Sequence, residues 1–268
     1  MPSGRVRCPG SGGVPRALRR LRDEGGDPGQ LTFWDTHLTE HGSTLIHRRS
    51  LAVQVLDRIA AERHLELTGG SPPAGGERLH LGYLPSPDPA MQAHGSSRQV
   101  DAARQQRLAE GRPAYHAMTR EAIRDGFAAH LRHVRAREIA AGACLVGPHR
   151  DDMAFTVDGH DLRAFGSRGQ QRTAALALKL AELQMMRDET GDSPLLLLDD
   201  VMSELDATRR HTLLDALTGA DQAIVTTTDW GDFSEQLLEQ ANRLTIERGT
   251  LAEANGRVGE REKGRAEE

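Results

Sequence analysis

The spacing of apolar and polar positions changes along the chain, and each change predicts a different element. From Leu31 to Leu67 the pattern is helical, with Leu45, Ala52, Leu56 and Ile59 on one side, charges between them, and Gly42 dividing the segment into two helices. A Gly/Pro run from 69 to 76 precedes "RLHLGYL" (78–84), whose alternation predicts a strand, and Pro85 to Ser97 reads as a loop. A second helical stretch carries Tyr115, Met118, Phe127, Leu131 and Val134 on its apolar side, and the two stretches are expected to pair as an antiparallel arm. After Ala141 the texture changes. "AFTVDGHDLRAF" (154–165) alternates around Asp158-Gly159, a two-residue hairpin signal. "PLLLL" (194–198) and "QAIVTTT" (222–228) are short and apolar, as strands of a parallel sheet covered on both faces would be, with Gly219 placed to end the helix between them.

These periods divide the chain into four parts. Residues 1–30 hold many Gly and Pro without sustained periodicity and read as a mobile tail or a segment outside the fold. Residues 31–141 form a helical arm, 142–253 an α/β unit, and 254–268 a polar, disordered tail.

Composition narrows the function classes. Over 268 residues, 37% are apolar, only 3% aromatic and 27% charged, which suits a core of Leu, Ala and Val. No stretch approaches the ~20 apolar residues that span a bilayer, and the N-terminus has no apolar h-region of a secretory signal. The two cysteines, Cys8 and Cys144, lie far apart and read as free thiols in a reducing, cytoplasmic setting. A net charge of −5 gives no global basic excess for nucleic acid. The Arg-rich segments 16–22 and 132–137 read as solvated helix faces, and so do His130 and His133, which lack a third metal ligand.

"LLLLDDVMSELD" (195–206) carries the chemistry. Ligands in parallel sheets sit beyond the carboxyl ends of strands, where Asp199 and Asp200 fall. Asp199 suits Mg²⁺, which takes hard oxygen ligands shared with phosphate, and Asp200 suits orienting or deprotonating water. The bland alternative is a pair of solvated acids at a strand end. In "GSRGQQRTAALALKLAEL" (166–183), Ser167 and Gln170 form a capping-box pair at a helix start. Gly166 and Gly169 leave room for a ligand near the free N–H groups and the positive end of the helix dipole. Leu176, Leu180 and Leu183 equally suit an ordinary core helix.

Taken together, "GPHRDD" (147–152), "FGSRGQQRTAALALKLAE" (165–182), "LLLLDDVMSELD" (195–206) and "TTTD" (226–229) resemble the RecF family of DNA repair proteins. "WDTHLTEHGSTLIHRR" (34–49) is similar to the start of that family's arm, and "LGYLPS" (81–86) to a strand beyond it. The resemblance implies an α/β fold, the C-terminal half of an ABC-type ATPase head with a parallel-sheet core, flanking helices and a helical arm. It implies ATP and Mg²⁺ as cofactors. Ser167, Gly169 and Gln170 would belong to the signature motif that contacts the γ-phosphate of ATP on the partner subunit. Asp199 would be the Walker B magnesium acid and Asp200 the catalytic acid. Ser203, Glu204, Leu205 and Asp206 would form the D-loop, and Thr227 and Thr228 the switch. The implied partners are single- and double-stranded DNA with their junctions, the mediators RecO and RecR, and a second copy when nucleotide is bound. The implied setting is recombinational repair and the SOS response.

A phosphate-cradling G-x-x-x-x-G-K-[ST] is absent from the sequence. Gly142 and Gly147 have the right separation, but Pro148 and His149 follow, and the glycines at 10–13 lack a Lys. The chain therefore reads as a RecF protein without its N-terminal lobe, whose strands lack neighbours and expose edges. Two alternatives stand beside this. One is a non-catalytic DNA or protein interaction module. The other is a metal-dependent phosphohydrolase using His149, Asp151, Asp152, Asp199 and Asp200.

Overall fold

The computed structural model describes residues 13–70, 76–86, 115–202, 205, 207–218 and 221–253, in two units, Met1–Asp192 and Ser193–Glu268. The first begins with a helix where none is expected. α1 (Gly13–Glu24) buries Val14, Leu18 and Leu21, one helical stripe, in a small core with Leu31, Trp34 and Ile139. The expectation that residues 1–30 lie outside the fold is thus corrected for 13–24; three apolar side chains suffice because Trp34 covers them. The ring of Trp34 lies so close that a Cβ at Gly13 would stand 2.5 Å from it. Arg16, Arg19, Arg20 and Arg22 stay exposed, as the solvated-face reading requires.

α2 (Thr32–Leu67) runs 36 residues without a break at Gly42. Its buried stripe is Ile46, Val53, Leu56, Ile59, Ala60 and Leu67, whereas Leu45, assigned to that side from spacing, is 39% exposed. Gly42 serves packing. A Cβ there would stand 2.6 Å from Cε1 of Phe127, so glycine lets the next long helix, α3 (Arg120–Ala141), approach. Gly42 meets Phe127 and Asp35 meets Arg135, so the pair is antiparallel, as expected. Ile46, Ile123, Phe127, Leu131 and Val134 form the core between them. Buried Thr39, Ser43 and Ser50 on α2 donate to carbonyls of their own helix at 2.7–2.8 Å and leave no hydroxyl unsatisfied. His130 belongs to the buried side of α3 and corrects the solvated-face reading, while His133 is exposed.

β1 (Leu79–Leu84), β2 (Asp152–Val157) and β3 (His160–Asp161) form an antiparallel sheet in that order, with Leu81 opposite Phe155. The β2–β3 turn is the expected Asp158-Gly159 hairpin, with both residues at positive φ (49° and 79°) as a type I′ turn needs. A short helix, α4 (Leu162–Phe165), leads to α5 (Arg168–Thr190), which packs on α2 and buries Leu176, Leu180 and Leu183.

Two interactions of this unit respond to pH and to reagents. His80 lies 2.9 Å from Asp57, and that hydrogen bond holds the imidazolium above its ordinary pKa. The protonated form is favoured in the fold, so this contribution is full below about pH 6.5 and is lost as pH rises through the raised value. Thermal melts of His80→Asn should lack that component; an unchanged pH profile would remove the pair from the account. Cys144 is a free thiol that burial pushes up to about 11. Alkylation of Cys144 at pH 8 should therefore be slow and accelerate on unfolding, as peptide mapping would read. Cys8 lies outside the described residues.

In the second unit β4 (Leu196–Leu198) and β5 (Ala223–Val225) pair in parallel, Leu197 opposite Ile224, joined through α6 (Ala207–Thr218). Gly219, the expected helix end, lies outside the described residues. α7 (Glu235–Gln240) precedes a hairpin of β6 (Leu244–Glu247) and β7 (Thr250–Glu253). The two parallel strands match the sequence. Their expected burial on both faces does not: Leu198 is 8% exposed, but Leu197 is 64% exposed.

Candidate functional site

The parallel register places the residues after β4 beside those after β5, so Asp199 and Asp200 come next to Thr226. The backbone N–H of Thr226 donates to the carbonyl of Leu198 at 2.9 Å and extends the ladder by one step. The Thr226 hydroxyl then donates to Oδ1 of Asp199 at 2.6 Å and accepts from the backbone N–H of Asp200 at 3.0 Å. One hydroxyl uses its donor and a lone pair to fix both acids. Asp200 has φ 48°, a left-handed conformation that Asp tolerates better than most residues. Both carboxylates are exposed, and the chain turns sharply after the strand.

The donors gathered here are hard oxygens on a rigid strand end. They fit Mg²⁺, which takes one or two protein carboxylates and completes its shell with water and phosphate. Among the described residues no group of three His, Cys, Asp or Glu could hold a metal by itself. Thr227 donates to the Asp229 carbonyl at 3.0 Å, and Asp229 Oδ1 accepts from the Gly231 N–H at 2.8 Å. Thr226, one residue earlier than Thr227 and Thr228, is the threonine that touches Asp199. Of the residues expected in a D-loop, Ser203, Glu204 and Asp206 lie outside the described residues, and Leu205 is buried.

In the first unit, Ser167 caps α5. Its Oγ accepts from the Gln170 N–H at 3.2 Å while Gln170 Oε1 accepts from the Ser167 N–H at 3.0 Å, the expected capping box. Gly166 is required by space, since a Cβ would stand 2.5 Å from the Leu162 carbonyl. Gly169 is exposed, and a Cβ there would meet only Ser167 Oγ, at 3.9 Å. Sequence reasoning missed Glu77, whose carboxylate accepts from Gln170 Nε2 at 2.9 Å and whose carbonyl lies 3.2 Å from His64 Nδ1. No local pattern flags a contact spanning 93 residues.

The "HRDD" cluster is structural. Asp151 is nearly buried and accepts from Arg49 at 2.6 Å, from the Tyr83 hydroxyl, and from the Ser86 N–H at 2.9 Å. Burial first, and Asp151 second, push the Tyr83 phenol far up, and burial pushes the His149 imidazole down. Both oxygens of Asp151 are thus engaged by protein donors that tie α2 and β1 to this loop.

No protein-family model matches the chain. Curated relatives do. It is 39% identical over 226 residues to the DNA replication and repair protein RecF of Synechococcus sp. (strain JA-3-3Ab), covering 83% of this chain and 51% of that one. It is 42% identical over 209 residues to RecF of Geobacillus thermodenitrificans, covering 78% and 48%. The chain thus spans about half the length of the curated relatives it matches. A solved structure of the recombination mediator protein RecF-ATPrS in the RecFOR pathway matches with a TM-score of 0.68 at 28% identity, over 90% of this chain and 55% of that one. The corresponding RecF-ATP structure gives 0.67 at 27% identity.

Proposed function

Because the chain belongs to the RecF family, of which it spans about half, we propose that it supplies the signature and Walker B half of an ATP-controlled DNA repair machine. The observation that carries the reading is the Asp199–Thr226–Asp200 cluster at the end of two parallel strands. Mg²⁺, bound there with ATP, would neutralise charge on the phosphate oxygens. Asp199 holds its carboxylate toward that position, fixed by the Thr226 hydroxyl. Asp200, set by its backbone bond to the same hydroxyl, orients the attacking water and takes its proton. Ser167, Gly169 and Gln170 form the signature segment that meets the γ-phosphate of ATP held by a partner subunit: the N–H groups of Ser167 and Gln170 close the capping box, and the exposed Gly169 backbone at the positive end of α5 faces the phosphate. By resemblance, Ser203, Glu204, Leu205 and Asp206 belong to the D-loop, and Thr227 and Thr228 to the segment that senses the phosphate.

The phosphate loop comes from a lobe outside these 268 residues. In this account the assembled protein dimerises on ATP, binds single- and double-stranded DNA at gap junctions, and works with RecO and RecR in cytoplasmic recombinational repair and the SOS response. Thr226→Val tests the local chemistry: it deletes both bonds of the hydroxyl and should lower turnover of the assembled ATPase roughly tenfold. Turnover equal to wild type would detach Thr226 from the site. The missing G-x-x-x-x-G-K-[ST] favours a second reading, a non-catalytic interaction module. DNA or mediator binding with no turnover in any assembly would select it.

A further inference from the structure

His37 and His41 are the only two of the chain's 12 histidines spaced four residues apart, the separation that sets one side chain over another on a helix. Both lie in α2 and both are exposed. Their rings stack, with centroids 5.9 Å apart and planes within 4° of parallel. One turn earlier, the exposed Phe33 sets its ring edge-on to His37 at 4.4 Å and also meets Trp34 at 5.4 Å. Phe33 thus closes the side of His37 away from His41 and leaves the side toward His41 open. Among the described residues neither imidazole has a hydrogen-bond or ion-pair partner. Other histidines are engaged or enclosed: His80 lies against Asp57 and His211 against Asp215, at 2.9 and 3.0 Å, while His64 and His130 are buried.

Two imidazoles four apart on one helix face can grip a single metal ion, one nitrogen from each turn. Rotation about the Cβ–Cγ bond of histidine is soft, so these exposed rings can turn their nitrogens to a common point without moving the backbone. Neutral imidazole suits borderline divalent ions such as Ni²⁺, Cu²⁺ and Zn²⁺, and not Mg²⁺, which takes hard oxygen. We propose that His37 and His41 clamp a borderline divalent transition metal on the open side of α2. No third His, Cys, Asp or Glu completes the set among the described residues, so water fills the other positions and the clamp binds more weakly than a closed four-ligand centre. Its donors differ from the oxygens at Asp199, so the clamp stands or falls apart from the ATPase reading. It joins consecutive turns of α2 beside Trp34, which covers α1, so a bound ion stabilises the helix against which α1 packs.

The test titrates nickel chloride into the untagged 268-residue chain by calorimetry at about pH 7.5, where ordinary imidazoles are neutral. Saturable binding is expected, weaker for Co²⁺ and weaker again for Mn²⁺, and unaffected by excess Mg²⁺. His37→Asn and His41→Asn should each weaken it at least about tenfold, the loss that even an outer-shell partner of a metal can cause. Both positions are exposed, so circular dichroism of the variants should match wild type. His133→Asn, at an exposed position of α3, should leave binding unchanged. Ni²⁺ should also raise the melting temperature of wild type and not that of either clamp variant. Absence of binding, binding retained when both histidines are replaced, or an equal loss in His133→Asn would overturn the proposal.

Discussion

Arg135→Leu is expected to destabilise the first unit by about 3–5 kcal/mol, because it strands two carboxylates that the guanidinium now neutralises. Arg135 donates to Glu138 Oε2 at 2.8 Å and also pairs with Asp35. The Glu138 side chain is 1% exposed, and its other oxygen accepts from the Leu145 N–H at 2.7 Å, tying the loop after α3 to the helix. Burial is the largest influence on both carboxyls and holds them above the usual range, with Arg135 acting in the opposite direction. Protonated carboxyls are therefore favoured in the fold. The cost of leaving them charged is smallest near the unfolded carboxyl value of about 4 and grows as pH rises through the raised folded values. The Arg135→Leu defect should accordingly be full at neutral pH and shrink toward pH 4, as urea melts across that range would show. A variant that melts like wild type at pH 7 would mean that the triad does not hold the arm to the loop.

Asp200→Asn is expected to lower ATP turnover of the assembled protein by at least about a hundredfold while sparing nucleotide-dependent association. An amide can still orient water through its oxygen, but it cannot take a proton at neutral pH. The backbone bond from residue 200 to Thr226 survives the change, so the turn should keep its shape. Steady-state hydrolysis beside sedimentation with and without ATP separates the two effects. Hydrolysis unchanged in Asp200→Asn would remove Asp200 from the catalytic role.

The elements legible in the sequence are those whose determinants are local. The Asp158-Gly159 turn, the Ser167–Gln170 capping box and the two short apolar strands each depend on residues within a few positions of one another. What escaped depends on distant neighbours. Gly42 reads as a helix break until Phe127 is seen against it, 85 residues away, and α1 reads as tail until Trp34 covers its stripe. Arg135 reads as one of several surface arginines because nothing local reveals that Asp35 lies against it. In the site, the strand-end carboxylates are legible from "LLLLDD" alone. The resemblance points to Thr227 and Thr228, whereas the strand register sets Thr226 against Asp199.

The most direct measurement is binding of fluorescent ATP with Mg²⁺ to the 268-residue chain, alone and assembled with the remaining RecF lobe, each beside its Asp199→Asn variant. The account predicts no saturable binding by the chain alone, because the phosphate loop and its Lys are missing and several charge-assisted contacts, each worth about 1.5–3 kcal/mol, go with them. It predicts saturable binding in the assembly that Asp199→Asn weakens. Tight, saturable binding by the chain alone, or binding in the assembly indifferent to Asp199, would contradict it.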